Sequence, residues 1–210
     1  MSDSRTNDEE LIKQLVDGEQ SALAKLFELN RYRLQRMIAV RMDQRLKGRV
    51  DEADILQEAF MILSKKIDSY DTNMSPYVWM RLTVLDQLIA EHRKHIRAGK
   101  RDARREVSIS QKVGDESSTE LAATLEANDT SIRGKVATLE VTKHIRDTLS
   151  QMDEKDRDII IMRIFENMSN TEVAEILDLT PNGASSRFSR ALERLQREVF
   201  SDRSPDESRF

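Results

Sequence analysis

Apolar residues recur along most of this chain at spacings of three and four, the period of an amphipathic helix rather than of a strand. Leu11, Ile12, Leu15 and Val16 form one stripe between Glu9 and Asp17, and Gly18 interrupts it. A second stripe, Ala22, Leu23, Leu26, Phe27, Leu34, Met37, Ile38 and Met42, predicts a long helix from near Ser21 to Gly48, kinked near Asn30. Asp51 suits the N-cap of a third helix, in which Ile55, Ala59, Ile62 and Leu63 line one face and Asp54, Gln57 and Glu58 point elsewhere. That helix ends near Tyr70. The segment from Asp71 to Pro76 is turn chemistry, and Ser75 followed by Pro76 opens a fourth helix that runs to about Ala98, before Gly99.

After a stretch without sustained period, the helical pattern resumes with Val136, Leu139, Ile145 and Leu149. It restarts after Asp153 with Ile159, Ile160, Met162, Ile164 and Phe165. Ser169 and Glu172 have the spacing of a capping box, and Val173, Ala174, Ile176 and Leu177 give a short helix behind it. Asp178-Leu179 is the turn. Thr180-Pro181 then starts a helix whose Ala184, Phe188, Ala191, Leu192 and Leu195 share one face, leaving Asn182, Ser186, Arg190 and Arg197 on the other.

Composition agrees with an all-α class: the chain has only six Gly and three Pro in 210 residues. Those numbers suit neither a loop-rich sheet protein nor Gly-rich phosphate loops. The absence of Cys rules out disulfides, thiolate metal sites and a Cys nucleophile, and with three His the sequence leads us to expect no metal and no cofactor. No apolar run approaches the roughly 20 residues that cross a bilayer, and the acidic, polar start MSDSRTNDEE is unlike a signal peptide. The expectation is a cytoplasmic protein without membrane contact. The net charge of −4 hides a polarised distribution. Arg93, Lys94, Arg97, Lys100, Arg101, Arg104 and Arg105 face a single nearby acid, Asp102, whereas Asp115, Glu116, Glu120, Glu126 and Asp129 lie in a segment with no base.

A short capped helix, a tight turn and a second capped helix are the plan of a helix-turn-helix, whose second helix enters the major groove near its N-terminus. Arg190 can pair with guanine or a phosphate, Asn182 can read adenine, and the small Ser186 permits close approach, with Arg187 and Ser189 flanking this strip. An ordinary surface helix in a bundle would also show two faces and caps; the separation of the two caps favours the DNA-binding reading. Asp178 stands where many such turns carry Gly, and Asp tolerates the left-handed conformation better than most residues.

These residues bear a family resemblance. The stretch LSQMDEKDRDIIIMRIFENMSNTEVAEILDLTPNGASSRFSRALERLQ resembles domain four of bacterial sigma-70 family RNA polymerase sigma factors of the extracytoplasmic-function (ECF) group. The upstream DEADILQEAFMILSKKIDSYD and PYVWMRL resemble domain two of the same family, in the family's order. The resemblance implies two small helical domains joined by a flexible linker. Sigma domain 2 would occupy residues 1–107, an acidic linker 108–135, the helix-turn-helix sigma domain 4 136–200, and a polar tail 201–210.

It also implies a transcription initiation factor, not an enzyme, that binds core RNA polymerase, directs it to specific promoters and helps melt the DNA. Asp54, Gln57, Glu58 and Met61 would dock on the clamp helices of the largest polymerase subunit; a polar, acidic face beside Phe60 and Met61 suits a basic partner helix. The polymerase flap is a further implied contact. Asn73, Met74, Trp79, Arg81, Asp86, Arg93, Lys94 and Arg97 would serve the minus-10 region, the last three by holding phosphates. Trp79, at helical spacing with Leu82 and Leu85, also has the pattern of a packing anchor. Asp86 and Ala90 stand where the family commonly has Asn and Asp, and Ser185 where it often has a basic residue. Asn182, Ser186, Arg187, Ser189 and Arg190 would contact the minus-35 region. Anti-sigma partners are common in the family, and no residue here identifies one.

Three other readings compete. A helix-turn-helix regulator with an N-terminal sensing domain would bind a duplex operator unaided. An enzyme would need a site, and His92-x-x-His95 lacks a matching carboxylate pair to complete a metal set. A helical adaptor without DNA contact would keep its function after Arg187 and Arg190 were changed to Ala.

Overall fold

The computed structural model describes residues 3–43, 46, 48–97 and 139–200, and every secondary-structure element among them is helical. The chain divides into two compact units, Met1–Ile109 and Ser110–Phe210. The predicted linker at 108–135, the bases from Lys100 to Arg105 and the tail 201–210 lie outside the described residues.

The first unit contains α1 (Asp3–Val16), α2 (Gln20–Arg41), α3 (Glu52–Lys65) and α4 (Pro76–Arg97), with a single 3-10 turn at Ile67–Ser69. α2 packs against all three other helices, and α3 packs on α4. The buried stripe of α2 is Ala22, Leu23, Leu26, Phe27, Leu34, Met37 and Ile38, as its periodicity predicts. It meets Leu11 and Leu15 from α1, Ile55, Leu56, Ala59 and Leu63 from α3, and Val78, Met80, Val84 and Leu88 from α4 in one core. Each of the larger of these side chains, taken fully from water, contributes about 1.5–3 kcal/mol.

α1 and α2 are joined through Gly18, whose φ of +80° is the left-handed conformation that closes the end of α1. A Cβ at Gly18 would also lie 3.1 Å from an Asp68 carboxylate oxygen, so conformation and close approach both favour glycine. α2 stops at Arg41, short of the expected end near Gly48. Met42 leaves the helix in extended conformation while its N–H still donates to the Ile38 carbonyl. Met42 and Leu46 are both buried, so Met42, the last residue of the expected stripe, packs from a connecting segment instead.

The second unit contains α5 (Leu139–Gln151), α6 (Glu154–Ile160), α7 (Asn170–Leu177) and α8 (Pro181–Phe200). α6 continues into a π-helical turn, Ile161–Phe165, which the sequence pattern did not predict. α8 packs against α5, α6 and α7 around Ile145, Leu149, Ile159, Phe165, Val173, Ala184, Ala191 and Leu195. Ala184 and Ala191 keep the α8 backbone close to its neighbours because a methyl group demands little space.

Candidate nucleic-acid interface

Local chemistry fixes both helices of the helix-turn-helix. The Ser169 hydroxyl accepts from the Glu172 N–H at 3.1 Å, and the Glu172 carboxylate accepts from the Ser169 N–H at 2.7 Å. This is the complete capping box that the sequence predicts. Asp178 ends α7 at φ 53° and ψ 52°, with its N–H donating to the Ala174 carbonyl, so Asp takes the left-handed place often held by Gly. Two residues on, the Thr180 hydroxyl accepts from the Gly183 N–H at 3.0 Å and α8 begins.

On α8 the burial alternates with the helical period. Ala184, Ala191, Leu195 and Val199 are buried, and Phe188 and Leu192 half-buried. Phe188 lies beneath the Arg163 guanidinium, 5.5 Å from its ring centre. Asn182, Ser186, Ser189 and Arg190 are exposed together, and Arg190 Nε donates to the Ser186 carbonyl of its own helix, at 3.3 Å. Arg194, one turn further, pairs with Glu198 at 2.9 Å. The hydrogen bond and charge of Glu198 hold that guanidinium above its ordinary pKa.

Arg187 does not join this outward strip. Its Nε donates to Asp156 Oδ1 at 2.8 Å and its Nη2 to Asp153 Oδ1 at 3.2 Å, tying α8 to the start of α6. The expected DNA-facing position of Arg187 is therefore corrected to one turned towards two acids. Sequence reasoning missed this pairing because the partners lie 31 and 34 residues away. The one available signal was the pair of acids opening α6.

In the first unit, α3 exposes Asp54, Gln57, Glu58 and Met61 while Ile55, Leu56, Ala59 and Leu63 are buried. Met61 is 47% exposed and places an apolar side chain among these polar ones. Asp51 caps the helix by accepting from the Ala53 N–H at 2.8 Å. A cleft of about 320 Å³ runs beside this ridge, with Arg49 on one wall and Glu91, Lys94 and His95 from α4 on another. The α4 wall was not foreseen. On the other flank a groove of about 440 Å³ opens between α3 and α2, lined by Phe27, Arg31, Leu56 and Phe60 among others.

The loop before α4 is internally tied. Asp71 Oδ1 accepts from the Asn73 backbone N–H and from its side-chain amide, each at 2.9 Å, and the Tyr70 hydroxyl donates to the Met74 carbonyl at 2.5 Å. Asp71, Thr72 and Asn73 are exposed and Met74 is half-buried. Trp79 is half-buried with its ring 5.1 Å from that of Tyr70, as suits a packing anchor with one edge outward. Leu82 is 37% exposed, so the stripe expected to run through Trp79 and Leu82 is not the buried one. The buried stripe of α4 is Tyr77, Arg81, Val84 and Leu88, at intervals of four, three and four.

Arg81 is therefore corrected: it is only 2% exposed and faces the interior of its unit, not a DNA surface. Tyr77 is buried too, beneath the Arg33 guanidinium at 3.4 Å from its ring centre. Asp86, Ala90, Arg93 and Lys94 are exposed along α4, in line with Trp79 at helical spacing. Lys94 pairs with Glu91 at 3.1 Å, and the side chain of Arg97 lies outside the described residues. His92 is buried with Nε2 3.7 Å from Asp43, whereas His95 meets Glu91 at 3.0 Å, so the two histidines serve different partners. Among the described residues no group of three or more His, Asp or Glu side chains converges as a metal site. No helix among them is long and apolar enough to cross a membrane.

Residues 143–195, which contain most of α5, all of α6, the π turn and α7, and the N-terminal three-quarters of α8, match the family model for Sigma-70, region 4. The chain is 26% identical over 189 residues to the ECF RNA polymerase sigma factor SigW of Bacillus subtilis (strain 168), spanning 90% of this chain and 94% of that one. The solved structure of CnrH in complex with the cytosolic domain of CnrY is similar over 94% of this chain and 99% of that chain, at 20% identity and a TM-score of 0.48. The capped helix-turn-helix therefore lies inside the segment that is similar to region 4 of sigma-70 factors. Over 90% of its length the chain is similar to a sigma factor of the extracytoplasmic-function group.

Proposed function

We propose that the chain binds core RNA polymerase through the exposed ridge of α3 and carries the enzyme to promoters read by α8 and by the outer edge of α4. The observation that carries this reading is the strip Asn182, Ser186, Ser189 and Arg190, exposed at the start of a helix capped on both sides of its turn. That strip has the donors and acceptors that read base edges, and the helix N-terminus beside it favours phosphate. It serves the minus-35 region.

Asp54, Gln57, Glu58 and Met61 form the docking ridge, two acids and an amide around one exposed apolar side chain. Such a surface suits a basic helical partner, here the clamp helices of the largest polymerase subunit, and the second unit has the flap as its partner on the enzyme. Asn73, Met74, the outer edge of Trp79, Asp86, Arg93, Lys94 and Arg97 serve the minus-10 region. The bases hold the strand by charge and Trp79 offers a ring edge to an unstacked base. Arg81 supports this helix from within. The chain works in the cytoplasm, where polymerase and promoters are found, and an anti-sigma protein that covers the α3 ridge would silence it.

The test is retention of purified core RNA polymerase by the immobilised chain. Stoichiometric binding by the wild type, weakened in an Asp54→Ala/Glu58→Ala variant, is the expected result. If the wild type retains no core enzyme but binds a duplex operator tightly on its own, the protein acts as a free-standing regulator and the proposal falls.

A further inference from the structure

We infer that Arg187 is a positioning residue that sets the rotation of the recognition helix through Asp153 and Asp156, and that Arg190 alone of the two reads DNA; this rests on the promoter-reading role proposed for α8. Arg187 spans two elements. Its side chain is 28% exposed, and its Nε and Nη2 are committed to two carboxylates at 2.8 and 3.2 Å. Asp153 is itself fixed, since the same Oδ1 accepts from the Lys155 N–H at 3.1 Å as the N-cap of α6. The guanidinium therefore grips the first turn of α6, whose helix packs on α8.

Helical geometry turns this grip into a setting for the strip. At about 100° per residue, Asn182, Ser186, Ser189 and Arg190 fall within an arc of about 100°, and Arg187 lies about 60° beyond its Arg190 edge. Holding Arg187 inward fixes that arc outward. An Arg187 that served as a reader would have to break two charge-assisted hydrogen bonds and leave both acids facing the DNA.

The two roles predict opposite responses to loss of the acids. The experiment is transcription in vitro by core RNA polymerase with the full chain, on a promoter first selected by the wild-type holoenzyme; failure of the wild type to select any promoter would sink the proposed function itself. Given a working promoter, Asp153→Asn/Asp156→Asn and Arg187→Ala are each expected to lower output about tenfold, the loss typical of a charge-assisted pair. Arg187→Asp should be equally deficient, and adding Asp156→Arg should restore output by remaking the bridge in reverse. The salt dependence of promoter binding by the Arg187→Ala holoenzyme should keep the wild-type slope, whereas Arg190→Ala should lose about one phosphate's worth, roughly 0.9 in slope. Circular-dichroism melts confirm that each variant is folded before it is compared. Wild-type or higher output from the Asp153→Asn/Asp156→Asn variant, no restoration by the reversed pair, or a shallower salt slope for Arg187→Ala would each overturn the assignment.

Discussion

Arg81 in the first unit and Arg190 in the second are placed in opposite ways. In the first, Arg41 and Arg81 are drawn into the interior, Arg33 covers the buried Tyr77, and the exposed ridge of α3 is left to Asp54, Gln57, Glu58 and Met61. In the second, Arg157 is buried with Leu149 and Met152 carbonyls within 3.5 Å, but α8 keeps Arg190, Arg194 and Arg197 outside. An arginine on a helix is therefore evidence of a nucleic-acid surface only after its neighbours three and four residues away have been assigned. Arg81 is spaced with Tyr77, Val84 and Leu88, all buried, whereas Arg190 is spaced with Asn182, Ser186 and Ser189, all exposed.

Substitution of these two arginines offers the sharpest contrast. Arg81→Ala should destabilise the first unit by about 3 kcal/mol, because it leaves the partners of a buried guanidinium unmatched and removes the packing of its stem, and urea unfolding of the full chain would register the loss. Arg190→Ala should leave unfolding within about 0.5 kcal/mol of wild type. Its effect should fall on promoter selection, at about 1–3 kcal/mol, measured as the holoenzyme's preference for its promoter over a mismatched one. A stable Arg81→Ala protein, or a destabilised Arg190→Ala protein, would reverse the comparison. Smaller effects sharpen it at the turn. Ser169→Ala should cost about 1 kcal/mol of stability by removing half of the capping box. Asp178→Gly should raise stability by about 0.5 kcal/mol, since its left-handed backbone carries less strain with glycine, and should leave promoter choice unchanged.

Legibility in the sequence followed the range of the interactions involved. The boundaries of α7 and α8 were readable because Ser169, Glu172, Asp178 and Thr180 each act on backbone within a few residues. The split of α3 into a buried and an exposed face was readable for the same reason, since period alone decides it. The end of α2 was not, because Met42 is buried from a connecting segment and tertiary packing overrides the pattern that seemed to run on to Gly48. The π turn at Ile161–Phe165 left no mark on the spacing of apolar residues. The bridge from Arg187 to Asp153 and Asp156 joins residues distant in sequence, so the residue's type was visible and its direction was not. Arg81 is different: its burial was implicit in the spacing with Val84 and Leu88, and the resemblance to promoter-reading helices drew it to the wrong side.

The central claim is that promoter reading belongs to this chain only when it is carried by polymerase. Selection from random duplex DNA, run in parallel with the free chain and with the chain bound to core RNA polymerase, tests it most directly. The account predicts a two-part promoter sequence recovered by the holoenzyme and none by the free chain. Recovery of the same sequence by the free chain, with core polymerase adding nothing, would contradict it.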